Sequence, residues 1–190
     1  MKLLLLLLLP LAIPAFAQPP HGDHRHTHHG HHQPGHGHAH GAGAHTPYAG
    51  LEERSIKALS EQEIEDLRAG RGMAMALAAE LNGYPGPLHT LELARELELT
   101  SVQEQRTRQL LAEMQQEAGR LGEEFVDAEE ALDRLFRERE ATPDSVLKAS
   151  MEAAELRGRL RATHLLYHLE MMDVLSTDQV ERYNTLRGYG

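Results

Sequence analysis

The chain has 190 residues, no Cys and no Trp, with 41% hydrophobic and only 4% aromatic residues. Without Cys it forms no disulfide, offers no thiolate to a metal and cannot carry a lipid on an N-terminal cysteine. Nineteen basic against 29 acidic residues leave a net charge of −10, which argues against nucleic acid and anionic membranes as partners. Few aromatics with many Leu, Ala, Glu and Arg point to helices joined along narrow seams.

Residues 1–17 read as a secretory signal peptide. Met1-Lys2 gives a positive start, Leu3–Leu9 an apolar run, and Ala15-Phe16-Ala17 a small-residue cleavage site. Pro10 and Pro14 break a run already short for a membrane span. Cleavage is expected after Ala17, with delivery to a bacterial periplasm.

Residues 18–47 form a His-rich tail. It holds 11 of the 14 histidines: His21, His24, His26, His28, His29, His31, His32, His36, His38, His40 and His45. With Gly, Pro and Ala between them and no large apolar residue, nothing offsets the entropy of ordering, so a disordered tract is expected. Clustered neutral imidazoles bind Zn, Cu, Ni and Co collectively and with weak selectivity, and release them as they protonate below about pH 6.5.

Residues 48–87 carry short helices. After an approach segment, Tyr48–Leu59, Ser60 and Glu63 make a capping box: the hydroxyl accepts a free N–H of the first turn and the carboxylate reaches back to the cap. Ile64 and Leu67 follow, and Gly70 stops the helix. Met73–Leu81 reads as a second short helix, with Met73 and Met75 as core filler. Asn82-Gly83 ends it, and Tyr84-Pro85-Gly86-Pro87 forces a turn.

Residues 88–190 read as a helical domain. A helix from about Leu88 buries Leu91, Leu93, Ala94 and Leu97, with His89 in its first turn. Leu99-Thr100-Ser101-Val102-Gln103 is a second capping box, opening a helix that runs to about Glu140. Its seam is Leu110, Met114, Ala118, Leu121, Phe125, Ala128, Leu132 and Leu135, at steps of three and four, and Gly119 and Gly122 interrupt it mildly. Thr142 caps the next helix with Pro143 in its first position. So short a link predicts an antiparallel hairpin. The return helix, Pro143 to about Val174, aligns Val146, Ala153, Leu156, Leu160, His164, Tyr167 and Met171. Leu175-Ser176-Thr177-Asp178-Gln179 then repeats the Leu-hydroxyl-x-x-Gln box, and a last helix ends at Gly188. The expected fold is all-α: a long antiparallel hairpin with short flanking helices.

His164, His168 and Met172 climb the return helix at steps of four. His164 lies within the apolar side, and His168 and Met172 flank it by about 40 and 80 degrees. Two imidazoles and a thioether on one stripe are candidate ligands for a transition metal, as is His89 from an earlier helix. Catalysis has no support. His164 and His168 have the zincin spacing, but Leu165 stands where the catalytic Glu belongs, and no nucleophile elbow or phosphate loop is present. No enzyme is expected.

The two Leu-[Ser/Thr]-x-x-Gln boxes, one before the hairpin and one after it, resemble the repeated motif of the periplasmic Spy/CpxP superfamily. The likeness covers about Leu88–Gly188, with Ser176 replacing the usual Thr. It is nearest to the metal-linked branch of CnrX-like nickel/cobalt sensors and ZraP-like zinc-binding proteins. The resemblance implies a helical hairpin, often dimeric, and ligands from His, Glu and Met, with His168 and Met172 on the family's His-x-x-x-Met pattern. Glu123, Glu129 or Glu130 would then complete a site. The expectation is a periplasmic heavy-metal-binding protein that senses or buffers Ni, Co, Cu or Zn. It would act as a homodimer, with a membrane-bound signalling protein as a further partner. The alternative is an ATP-independent periplasmic chaperone that holds unfolded client proteins.

Overall fold

A computed structural model describes residues 47–189, and over that span the chain is all-α. A 3-10 turn, Leu51–Glu53, precedes six helices: α1 Glu61–Arg68, α2 Leu77–Glu80, α3 Pro87–Glu92, α4 Ser101–Arg137, α5 Pro143–Val174 and α6 Thr177–Arg187. None of them is long and apolar enough to cross a membrane. Residues 1–46, with the expected signal peptide and the His-rich stretch His21 to His45, lie outside the described residues.

The four longest helices start where local chemistry says they should. Ser60 with Glu63, Thr100 with Gln103 and Ser176 with Gln179 form complete capping boxes. Thr142 forms a fourth, with Ser145 as the reciprocal partner and Pro143 in the first turn. Each box satisfies amide donors that the helix cannot.

α4 and α5 make the antiparallel hairpin. Arg106, near the start of α4, pairs with Glu170, near the end of α5, at 3.6 Å. Ala118, Leu121, Phe125 and Ala128 face Ala153 and Leu160. α1 packs on α4 and adds Ile64 and Leu67 to the same core. The approach is close: a Cβ on Gly122 would lie 2.1 Å from the Leu67 carbonyl oxygen. Glycines that weaken a helix by about 0.5–1 kcal/mol each here make the groove into which α1 docks. α2 lies against α5, and α3 touches both arms.

At the open end of the hairpin the two Gln boxes meet. Gln103 Nε2 donates to Gln179 Oε1 at 2.7 Å and to the Val174 carbonyl at 2.9 Å. Gln179 Nε2 donates to the Leu97 carbonyl and to Gln103 Oε1, both at 3.2 Å. Each glutamine thus caps its own helix and clasps the other.

Three elements differ from their sequence reading. Met73–Leu81 is not one helix, because Met73 and Ala74 take left-handed backbone angles (φ 43° and 60°), and only Leu77–Glu80 is helical. α3 stops at Glu92, yet Leu97 is buried from the turn that follows. α4 ends at Arg137 rather than Glu140, with Arg139 left-handed at φ 60°.

Candidate metal centre

The buried face of α5 changes character between Leu160 and His164. Both are almost fully enclosed, at 1% and 2% exposure, but one turn replaces an isobutyl group with an imidazole. His168 follows on the same face and is also buried. Both imidazoles line an open cavity of about 270 Å³, whose wall also includes Glu80, His89, Met73 and Met114. α2, α3, α4 and α5 each contribute a side chain to it.

His168 is held in one tautomer. Its Nδ1 lies 2.7 Å from the Tyr84 carbonyl oxygen, which only accepts, so Nδ1 carries a proton and, in the neutral ring, the lone pair is on Nε2. A backbone carbonyl on the far nitrogen is how metal-binding histidines are commonly oriented. Gly86 makes room for the ring: a Cβ there would sit 2.7 Å from His168 Cε1 and 2.9 Å from Nε2. His164 Nε2 is buried without a hydrogen-bond partner. Burial, and then the neighbouring His168, push its pKa down, which favours the neutral imidazole, the form that coordinates cations.

The carboxylate at this cavity is Glu80, which the sequence reading did not single out. It is 6% exposed, and its Oε2 is buried with no partner. Oε2 lies 3.8 Å from His168 Nδ1. Oε1 accepts from Tyr183 at 2.6 Å and from Tyr189 at 3.3 Å. Burial, and then this bond to Glu80, hold the Tyr183 phenol well above its usual pKa, so it stays a donor. The only hint in the sequence was an acidic residue in the otherwise apolar run Ala78-Ala79-Glu80-Leu81.

His164, His168 and His89 therefore meet at one cavity. His89 sits at its rim, a third exposed, with Nδ1 2.8 Å from Glu92 Oε2. Met172 does not join them. At 100 degrees per residue it swings off the face that His164 and Met171 share, and it is exposed while Met171 is fully buried. Nor do the carboxylates suggested by the resemblance. Glu123 pairs with Arg68 at 2.7 Å, and neither Glu129 nor Glu130 lines the cavity. Among the described residues, no three His, Asp or Glu side chains converge into a ready metal cage. Met114 and Met73 line the wall where Met172 was expected.

Comparison with protein-family models, with curated proteins and with solved structures returned no match.

Proposed function

We propose that the chain is a periplasmic heavy-metal-binding protein that senses or buffers Ni, Co, Cu or Zn. The observation that carries this reading is a pair of unpartnered buried atoms, His164 Nε2 and Glu80 Oε2, at one cavity beside an oriented His168. Leaving such atoms bare costs about 1–3 kcal/mol each, and a cation that drew the two side chains together would satisfy both. Two imidazoles and a carboxylate suit Zn, Ni and Co, and the thioethers of Met73 and Met114 would add affinity for softer ions. The His-rich tail, expected to have no fold of its own, would collect metal, and the helical site would couple occupancy to packing. The two Gln boxes and the hairpin agree with the Spy/CpxP resemblance, which implies a homodimer and a membrane-bound signalling partner.

The test is thermal unfolding of the full chain with and without micromolar Zn, Ni, Co or Cu. Metal on an unfolded tail binds native and denatured chains alike and shifts the midpoint little. Metal at a site present only in the fold raises it. A rise in the wild type that is lost on replacing His164 and His168 together by Leu supports the reading. No rise, or an equal rise in that double variant, overturns the folded site.

A second reading has its own observation. Leu147, Met151, Leu166, Leu169 and Met172 are exposed, and at 100 degrees per residue they form one stripe on the outer side of α5. Such a stripe suits a chaperone that holds unfolded clients. Suppressed aggregation of a denatured client in the presence of chelator would favour it over the metal reading.

A further inference from the structure

Glu80 uses its two oxygens in different ways. Oε1 accepts from Tyr183 and Tyr189, and Arg187 Nε stands 3.4 Å away without hydrogen-bond geometry. One carboxylate oxygen thus ties α2 to α6 and the residues just after it. Oε2 has no partner, although the whole side chain is buried. It faces His168, and a Cβ on Gly86 would lie 3.5 Å from it. A carboxylate that only fastened α6 would gain by engaging both oxygens.

We propose that Glu80 is shared between the cation and the latch on α6. Oε2 is the oxygen ligand for a divalent transition-metal ion on which Glu80, His164 and His168, not converged in the metal-free fold, close together, and binding there loosens the hold of Oε1 on residues 183–189. This rests on the metal reading above and adds the route by which occupancy leaves the cavity. Two effects act with the same sign. A cation on Oε2 draws electron density from the carboxylate, making Oε1 a weaker acceptor for the two phenols. It also brings positive charge towards the Arg187 guanidinium, which ion-pairs with the same oxygen. α6 keeps contacts that do not involve Glu80: Arg182 with Glu98 at 3.0 Å and the Gln179 clasp. The outcome is therefore local loosening of 183–189, with the rest of the fold intact. Coupling between two ligands of one group is reciprocal, so weakening the latch strengthens metal binding by the same factor.

Hydrogen exchange of the full chain with and without Zn, followed by mass spectrometry, tests this. Peptides covering 84–90 and 160–172 report the cavity walls independently of metal on the tail, and a peptide covering 183–189 reports the latch. Zn is expected to slow exchange in the walls and to speed it in 183–189 by about fivefold or more. Tyr189→Phe, which removes one donor and keeps the ring, is expected to lower the Zn concentration for half-protection of the walls by a similar factor. Wall protection with unchanged exchange at 183–189 and unchanged Zn affinity in Tyr189→Phe overturns the shared carboxylate and leaves the metal site standing. No response in the walls overturns the metal reading, and the latch proposal falls with it.

Discussion

On one side of Leu160 the interior is hydrocarbon: Ile56, Leu59, Ile64, Leu67, Leu121, Phe125 and Val126 pack together with no charged group among them. One turn further along α5 it becomes a polar layer of His164, His168, Glu80, Thr90 and Tyr183, all buried. Beyond that layer a smaller apolar cluster of Leu110, Met171 and Leu175 resumes. Among the described residues, the buried side-chain atoms without partners are Glu80 Oε2, Thr90 Oγ1, His164 Nε2, Asn184 Oδ1 and Arg187 Nε. Among the described residues they come from α2, α3, α5 and α6, and none comes from α1 or the far half of the hairpin. The first region is built to hold the fold. The second carries a desolvation cost that packing does not return, and that is where function should be sought.

Four substitutions and one titration bear on this contrast. Phe125→Ala in the apolar region should cost about 3–5 kcal/mol, through lost transfer energy and a residual cavity, read from urea unfolding. A cost below about 1 kcal/mol would mean that the hydrocarbon core is not the main support. Glu80→Ala should cost about 2–3 kcal/mol, because it strands the hydroxyls of Tyr183 and Tyr189 and the Arg187 guanidinium. The same unfolding series gives the number. Gln179→Ala removes both a cap and the clasp on Gln103, for about 1–2 kcal/mol. Unfolding should then start from the open end of the hairpin, seen as faster hydrogen exchange near Val174.

His164→Leu is the sharpest discriminator. Replacing an unpartnered buried imidazole by a similar-sized apolar group should change metal-free stability by under about 1 kcal/mol, and in the stabilising direction. A large loss would make His164 a structural residue. The smallest effect is the pH dependence of the metal-free protein. Burial depresses the His164 pKa in the folded state, so below the ordinary value of about 6.5 the unfolded chain binds the proton more readily. This contribution is complete above that pH, and stability falls as pH drops below it. His164→Leu should flatten that part of the profile measured by urea unfolding.

Much of the fold is legible in the sequence because its instructions are local. A hydroxyl three residues before Glu or Gln names a helix start, and Thr142-Pro143 names the hairpin turn. The seam follows from spacing alone: it is buried from Leu110 to Ala128, and only half-buried at Leu132 and Leu135. His164 inside the apolar side was equally readable, since position on a helix face is a matter of counting. Met172 shows how far such a ladder drifts: two steps of four turn the stripe by about 80 degrees, enough to leave the interior. The rest was hidden for another reason. Glu80 matters because of Tyr183 and Tyr189, 103 and 109 residues away, and no local pattern announces such partners. The break at Met73 and Ala74 was hidden as well, since neither residue type favours a left-handed backbone.

Those long separations also set an order of assembly. The hairpin closes through residues 138–142, so α4 and α5 find one another at small entropic cost, with nothing else in place. The contacts from Glu80 to Tyr183 and Tyr189 close loops more than a hundred residues long. They join α2 to α6 and the residues just after it, and closing so long a loop costs least once α4 and α5 have already paired. The polar layer is therefore expected to form late and to open early, which hydrogen exchange of the metal-free protein would show. A chain paused just short of the native state would already have its two imidazoles in register on α5, while the carboxylate opposite them waited for the final helix.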